Sequence, residues 1–484
     1  MLPILTLCSS ASGRALLLLT CVALLAACGD SDTPVDPNPT PVVIRTSTTN
    51  LGLVDPTEQR AMTGEIVTFQ VLPNKGHQTV SVTGCDGELD GITFTITVTE
   101  ACTLTPQFRE TVREDVADLF VEQTIIEGDY TLTYHLYTPE IEANIRYPLI
   151  LAIHGTAEGL VAEDGLFENP HLVDDIGEKI GRPVATGWVQ PHVREAYPAY
   201  VLAPLVPTSF DPEEPWADAF LMRLYDRIIQ NLIESEQVDP DRIYVTGHSI
   251  GATQTWFAPG IVADRFTALL PTSGVWLSPV DDITQEDTVA REYPYLSVWS
   301  FGHRGDGDGR VVDMRQMHIL MDNENLTTTR FENLNAQSDR RDALQRINQP
   351  LRYFATEYSF PCGSQGAECH YAATDTMATE PLMYEWLFQQ HRIDPDALEL
   401  TSQTYLNNEL TLSWRVPNTG RNHTVTIWLS DGDYWQRLEG IRASNATYTQ
   451  TLTAAEVENE RIRLTLTDDE GFVYGVVDSD VLLD

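Results

Sequence analysis

Arg242-Ile-Tyr-Val-Thr246 runs into Gly247-His248-Ser249-Ile250-Gly251 and then into Ala252-Thr-Gln-Thr-Trp-Phe257. The first run is rich in β-branched and aromatic residues and reads as a strand, and the last reads as the start of a helix. Between them lies a G-x-S-x-G pattern. Both glycines are needed there because so tight a strand-to-helix turn leaves no room for a side chain. The strained turn lifts the Ser249 hydroxyl clear of the sheet, at a helix N-terminus that favours developing negative charge. The five-residue pattern is weak by itself, and its weight comes from the strand before it and the helix after it.

Outward from this turn, β runs alternate with helical stretches from about residue 113 to 393. Pro148-Leu-Ile-Leu-Ala-Ile-His154 and Tyr200-Val-Leu-Ala-Pro204 precede a helix predicted over Ala217–Glu236. Ala268-Leu-Leu-Pro271, Tyr295–Ser300 and Leu351–Tyr358 follow the serine, and a last helix is predicted over Thr379–Gln390. Such alternation implies an α/β fold with a doubly wound, mostly parallel sheet covered on both faces by helices.

A serine at such a turn needs a base to take its proton, and the base needs a carboxylate to orient it. In this kind of sheet the chain order is serine, acid, histidine. His303, His318, His370 and His391 follow Ser249 within the region. His303 and His318 sit before or inside the helix after the Trp299 strand, and His391 ends the final helix on a polar face. His370 falls beyond the last predicted strand, in a loop that a Cys362–Cys369 bridge would pin, and is the candidate base. The Gly/Asp-rich segment after Phe301 offers Asp306 as the acid, with Asp308 as the alternative. A calcium loop would need further acidic ligands than this D-x-D cluster provides, so no metal and no cofactor is expected. An oxyanion hole needs two backbone N–H donors: Ile250, after the serine, and Thr156, after the strand ending at His154-Gly155.

Tyr147-Pro-Leu-Ile-Leu-Ala-Ile-His-Gly155, Tyr200–Pro204, Val238-Asp-Pro-Asp-Arg-Ile-Tyr-Val-Thr-Gly-His-Ser249 and Met383–Gln390 together resemble α/β-hydrolases. More narrowly they resemble the polyhydroxybutyrate-depolymerase-like esterases, some of which are called predicted peptidases. The resemblance covers residues 115 to 392. It implies an α/β-hydrolase fold and an acyl-transferring Ser249, His370 and Asp306. The family carries Met-Gly-Gly after its serine where this chain has Ile250-Gly251-Ala252. Its acid segment reads His-Gly-x-x-Asp where this chain has Gly302-His303-Arg304-Gly305-Asp306.

The flanks read differently. The apolar run Ala15–Ala27 follows Arg14 and is shorter than the about 20 residues a bilayer-spanning helix needs, so residues 1–27 read as a signal peptide. Leu25-Ala26-Ala27-Cys28 resembles a lipoprotein processing site, making Cys28 the expected lipidated residue, and residues 28–44 a polar, Pro-rich tether. Export to the bacterial cell envelope, periplasmic or surface-exposed, follows as an expectation, with the membrane reached through the lipid only. Of the remaining cysteines, Cys85 with Cys102 and Cys362 with Cys369 form local pairs, read as two disulfides. Residues 45–112 read as a small disulfide-bridged β domain, and residues 394–484 as a β-sandwich of fibronectin or immunoglobulin type.

With 71 acidic against 30 basic residues and a net charge of −41, the surface repels phosphate backbones, and a sequence-independent nucleic-acid binder is excluded. The reading that results is an exported serine hydrolase acting on a small or polymeric carboxylic ester. Its rivals are a peptidase with the same three residues, and a surface binding protein with a dead hydrolase domain. Oligomeric state is not legible.

Overall fold

The structure is a computed structural model that describes residues 41–47, 49–128, 130–155, 183–205, 215–275, 284–307, 309–362, 366–416, 423–430, 434–442, 446–451, 461–468 and 471–480. The signal and tether assignments, and Cys28 with them, fall outside this set apart from residues 41–44.

Eight short strands come first: β1 (Val42–Thr46), β2 (Gly52–Asp55), β3 (Glu58–Ala61), β4 (Ile66–Pro73), β5 (His77–Thr83), β6 (Gly87–Asp90), β7 (Thr93–Thr97) and β8 (Cys102–Glu110). They form two four-stranded sheets, β3-β1-β8-β5 and β2-β4-β7-β6. Alternating residues such as Val67, Phe69 and Val71 of β4 and Phe94 and Ile96 of β7 fill the core between them. The Cys85–Cys102 disulfide staples this module.

The central region carries β9 (Val121–Glu127), β10 (Tyr130–Tyr137), β11 (Tyr147–Ile153), β12 (Tyr200–Pro204), β13 (Val238–His248), β14 (Ala268–Thr272), β15 (Ser297–His303), β16 (Thr328–Glu332) and β17 (Tyr353–Tyr358). They make one nine-stranded sheet, ordered β16-β17-β15-β14-β13-β11-β12-β10-β9. From β12 to β16 neighbouring strands run parallel, while β10 pairs antiparallel with both β12 and β9. β11, β12, β14, β15 and β17 are buried at every position, as strands covered on both faces must be.

Alternate residues of each strand face opposite layers. Leu149, Leu151 and Ile153 of β11 pack with Met222, Tyr225 and Ile229 of α3 (Pro215–Ser235), Trp256 of α4 (Ile250–Ile261), Val289 of α5 (Gln285–Glu292) and Met314 and Met317 of α6 (Arg310–Asn323). Ile150 and Ala152 face the other layer. There they meet Val184 of α1 (Pro183–Thr186), Val193 of α2 (Pro191–Ala196), Leu344 of α7 (Gln337–Ile347), Ala373 of α8 (Gly366–Met377) and Trp386 of α9 (Pro381–Phe388). The doubly wound, mostly parallel sheet read from the sequence is therefore present.

The end of the region needs a correction. The single helix predicted over Thr379–Gln390 is α9, which begins later, where Glu380 caps Leu382 N–H at 3.1 Å and Pro381 takes the first turn. Ahead of it, the stretch read as a loop around His370 is the helix α8. Cys369, Ala373 and Met377 recur every four residues and are all buried, so this short segment carries a core-facing stripe despite its Gly and Cys punctuation.

The last seven strands are β18 (Glu399–Leu406), β19 (Glu409–Arg415), β20 (Thr424–Ser430), β21 (Trp435–Arg442), β22 (Ala446–Thr451), β23 (Arg461–Thr467) and β24 (Val473–Asp480). They form sheets β18-β19-β22 and β21-β20-β23-β24. Trp414, Val425, Ile427 and Leu464 lie in the core between the two sheets.

Candidate active site

β13 ends at His248, and α4 begins at Ile250 with nothing between them but Ser249. Its backbone sits at φ 56° and ψ −117°, a conformation costly for any residue with a side chain. The turn is held because Ser249 N–H donates to Thr272 O at 3.1 Å and Thr253 N–H donates to Ser249 O at 3.0 Å. The two glycines have the reason expected of them. A Cβ on Gly247 would lie 2.2 Å from the carbonyl of Gly251, and one on Gly251 would lie 2.1 Å from Ile153 O. Gly155, at the end of β11, is also pressed against the serine: a Cβ there would stand 3.1 Å from Ser249 Cβ. The turn projects Ser249 at the carboxyl edge of the sheet.

Two strands along, β15 ends at His303 and the chain makes the turn that presents Asp306. Asp306 N–H donates to His303 O at 2.9 Å, and Gly305 N–H donates to His303 Nδ1 at 2.9 Å. Since Nδ1 accepts, the proton of His303 is on Nε2, which donates to Phe360 O at 2.8 Å. His303 is thus committed to shaping the acid turn. Asp306 Oδ2 lies 2.9 Å from Nδ1 of His370, in the first half of α8, while Arg310 approaches Oδ1 at 3.2 Å. The carboxylate is 1% exposed and the imidazole 12%. A buried carboxylate on Nδ1 fixes the proton there and leaves Nε2 as the basic nitrogen.

His370 is brought to the serine turn through the residue before the serine. The His248 and His370 rings are 4.5 Å apart between centroids. His248 Nδ1 is 2.8 Å from Thr374 Oγ1, which is 2.7 Å from Thr272 Oγ1, and Thr272 donates to Gly247 O at 2.9 Å. Because the Thr272 hydroxyl proton goes to Gly247, Thr374 donates to Thr272 and His248 donates to Thr374. This chain ties the serine turn to the helix that carries His370. His248, Thr374, Thr272 and Arg310 were not anticipated. His248 was visible inside the G-x-S-x-G motif, whereas nothing in the sequence marks two threonines more than 100 residues apart as neighbours.

Ser249 Oγ has no hydrogen-bond partner among the described residues. In an enzyme without substrate, nucleophile and base are often apart by more than hydrogen-bond reach. Ile250 N–H, in the first turn of α4, also has no acceptor among the described residues and is open to an oxyanion. Thr156, the predicted second donor, and Asp308, the alternative acid, lie outside the described residues.

The other candidate histidines are accounted for by packing. His318 is buried between Ser300 Oγ at 2.6 Å and Thr328 Oγ1 at 3.2 Å, and burial pushes its pKa down to about 3. His154 is buried beside Gly155 O at 2.6 Å and is pushed down to about 4 for the same reason. His391 lies far along the sheet, near Asp239 and Asp241, where Arg392 already pairs with Asp241 at 2.7 Å. Cys362 and Cys369 approach His303 as a group, but their sulfurs are joined as a disulfide and cannot act as two thiolate ligands. Cavities of about 330, 300 and 480 Å³ open elsewhere, and neither Ser249 nor His370 lines any of the three.

No protein-family model and no curated protein matches the chain. Among solved structures it is similar to a thermostable esterase, at 20% identity over 62% of this chain and 68% of that one, with a TM-score of 0.41. It is also similar to the ferulic acid esterase AmCE1/Fae1A of Anaeromyces mucronatus, at 12% identity over 55% and 91% of the two chains and a TM-score of 0.35. Est1E of Butyrivibrio proteoclasticus matches at 14% identity over 55% and 98%, with a TM-score of 0.34. Likenesses this distant carry no argument about chemistry.

Proposed function

We propose that the protein is a serine hydrolase of the α/β-hydrolase type that cleaves carboxylic esters, with Ser249 as nucleophile, His370 as base and Asp306 as the orienting acid. The observation that carries this reading is the 2.9 Å contact between Asp306 and His370, set against the strained turn that presents Ser249. His370 Nε2 takes the hydroxyl proton as Ser249 attacks the ester carbonyl. Ile250 N–H, with Thr156 N–H as the second donor, holds the oxyanion. The imidazolium gives its proton to the leaving alcohol, and water activated by the same nitrogen then releases the acid from Ser249. The Asp306 carboxylate stabilises the imidazolium.

The narrower reading, a polyhydroxybutyrate-depolymerase-like esterase, is supported by the sequence motifs around the same three residues. The N-terminal segment supports export and lipidation at Cys28, and with them an enzyme tethered at the cell envelope. Mass spectrometry of the N-terminal peptide tests that directly: a diacylglyceryl cysteine is expected, and an unmodified chain beginning upstream of Cys28 overturns it.

A fluorophosphonate probe tests the catalytic reading. The wild type is expected to label at Ser249, and Ser249→Ala not at all. Labelling of His370→Ala and Asp306→Asn is expected to slow by about 10³-fold or more. A folded, oxidised wild type that neither labels nor hydrolyses p-nitrophenyl esters sinks the proposal. Turnover of peptide anilides in preference to esters redirects it to peptidase chemistry.

A further inference from the structure

The two disulfides differ in what they can do for the unfolded chain. Cys85–Cys102 closes a separation of 17 residues and Cys362–Cys369 one of 7. A shorter loop has less entropy to lose, so the second crosslink contributes less through the unfolded state. Its surroundings give it another use. Cys369 immediately precedes His370. Cys362 Sγ lies 3.4 Å from Nδ1 of His303, the side chain that shapes the acid turn. Gly305, the residue before Asp306, sits directly on the bridge: a Cβ there would stand 2.8 Å from Cys369 Sγ and 3.4 Å from Cys362 Sγ. The carbonyl oxygen of Phe360, two residues before Cys362, accepts from the protonated Nε2 of His303 at 2.8 Å. Three chain segments thus meet on one S–S bond: the turn carrying Asp306, the segment that follows β17, and the first turns of α8 carrying His370.

Resting on the catalytic reading above, we propose that the Cys362–Cys369 disulfide is a positioning element of the active site, bracing the Asp306 turn against the helix that carries His370. Asp306 and His370 come from elements 64 residues apart, joined at the site by a single hydrogen bond. The bridge lies at the same junction: it ties Cys369, one residue from the base, covalently to Cys362, and the turn carrying the acid packs on it through Gly305. A thiol reductant reverses it: dithiothreitol passes two electrons and two protons to the two sulfurs, the S–S bond breaks into two thiols, and the reagent closes its own disulfide ring.

The test is steady-state hydrolysis of p-nitrophenyl acetate together with fluorophosphonate labelling rates. Cys362→Ala/Cys369→Ala is expected to lose at least about tenfold in kcat with KM within about twofold, because small misplacement of a base is paid in rate rather than in binding. Dithiothreitol is expected to impose the same loss on the wild type, reversible on reoxidation. The same loss is expected in Cys85→Ala/Cys102→Ala, whose unreduced activity stays at the wild-type level. Gly305→Ala, which keeps the bridge but intrudes on it, is expected to lower kcat in a chain whose oxidation state is intact. The deciding readout is the Asp306→Asn background, where removing the bridge is expected to cost less than about twofold, since the substituted side chain no longer holds the working tautomer of His370 that the brace aligns. An unchanged kcat in the bridge variant, or an equal loss in the Asp306→Asn background, overturns the proposal. If the oxidised wild type neither labels nor turns over, the catalytic reading fails first and the brace falls with it.

Discussion

Arg310 holds the acid on the side that His370 does not. Its Nη1 reaches Asp306 Oδ1 at 3.2 Å and Gly307 O at 3.2 Å, so the guanidinium ties the carboxylate to the turn behind it. The Asp306 carboxylate is nearly sealed from water while Arg310 is partly exposed, so the pair is worth less than a buried one and more than a surface one. Arg310→Ala is expected to lower kcat/KM for p-nitrophenyl acetate by about tenfold, a share of the strength of a charge-assisted hydrogen bond. Arg310→Lys, which keeps the charge but lacks the planar fork, is expected to recover part of that loss. Equal activity of wild type and Arg310→Ala would show that His370 alone orients the acid. None of this was legible in the chain. The i, i+4 spacing of Asp306 and Arg310 is visible, but Asp308 and Asp313 stand nearby with comparable spacings, and only the path of the turn after His303 brings Arg310 onto Asp306.

Elements were legible where one pattern dominated them. The fully buried strands β11, β12 and β14 are nearly uninterrupted apolar runs, and the Gly-His-Ser-Ile-Gly turn has its strand and helix on either side. The elements that escaped are those whose burial is partial or borrowed. β9 and β16 are edge strands with mixed polarity, and α8 shows its apolar stripe only through Cys369, Ala373 and Met377. α6 illustrates a further limit, because its inner face includes a histidine. His318 is held neutral, and its pKa of about 3 lies below the about 6.5 of an unfolded histidine. A depressed pKa stabilises the fold above the unfolded value and loses that contribution as pH falls, so stability declines from pH about 6.5 toward 3. Between pH 7 and 5 His318 accounts for about 2 kcal/mol of that decline at 1.36 kcal/mol per unit shift. His154, pushed down to about 4, acts in the same direction. Urea unfolding of His318→Gln at pH 7 and 5 is therefore expected to show a decline smaller than that of wild type by about 2 kcal/mol. An identical decline would mean that His318 is protonated within the fold.

The molecule as a whole is held together by junctions that no sequence pattern announces. The first β module was read from its turns and cysteines, and its junction with the central region gathers around a buried ion pair of that region. Arg340 of α7 and Glu380 at the cap of α9 are 1% and 0% exposed and pair at 2.9 Å. The same guanidinium donates to Pro73 O at the end of β4 at 2.8 Å. Around it, Gly76 N–H donates to Thr379 O at 2.9 Å, Arg341 pairs with Asp55 at 2.8 Å and the Lys75 ammonium lies over the Tyr358 ring. A buried pair adds little over an apolar replacement, but removing one partner strands the other charge away from water. Arg340→Met is therefore expected to destabilise the protein by about 3–5 kcal/mol, with Arg340→Met/Glu380→Gln less damaging than the single change although it removes more native groups. If the junction makes one body of the two parts, hydrogen exchange in Arg340→Met should rise across β2 and β4 as well as in α7. Protection lost in α7 alone would mean that the module is held by its other contacts, and that Arg340 serves the central region only.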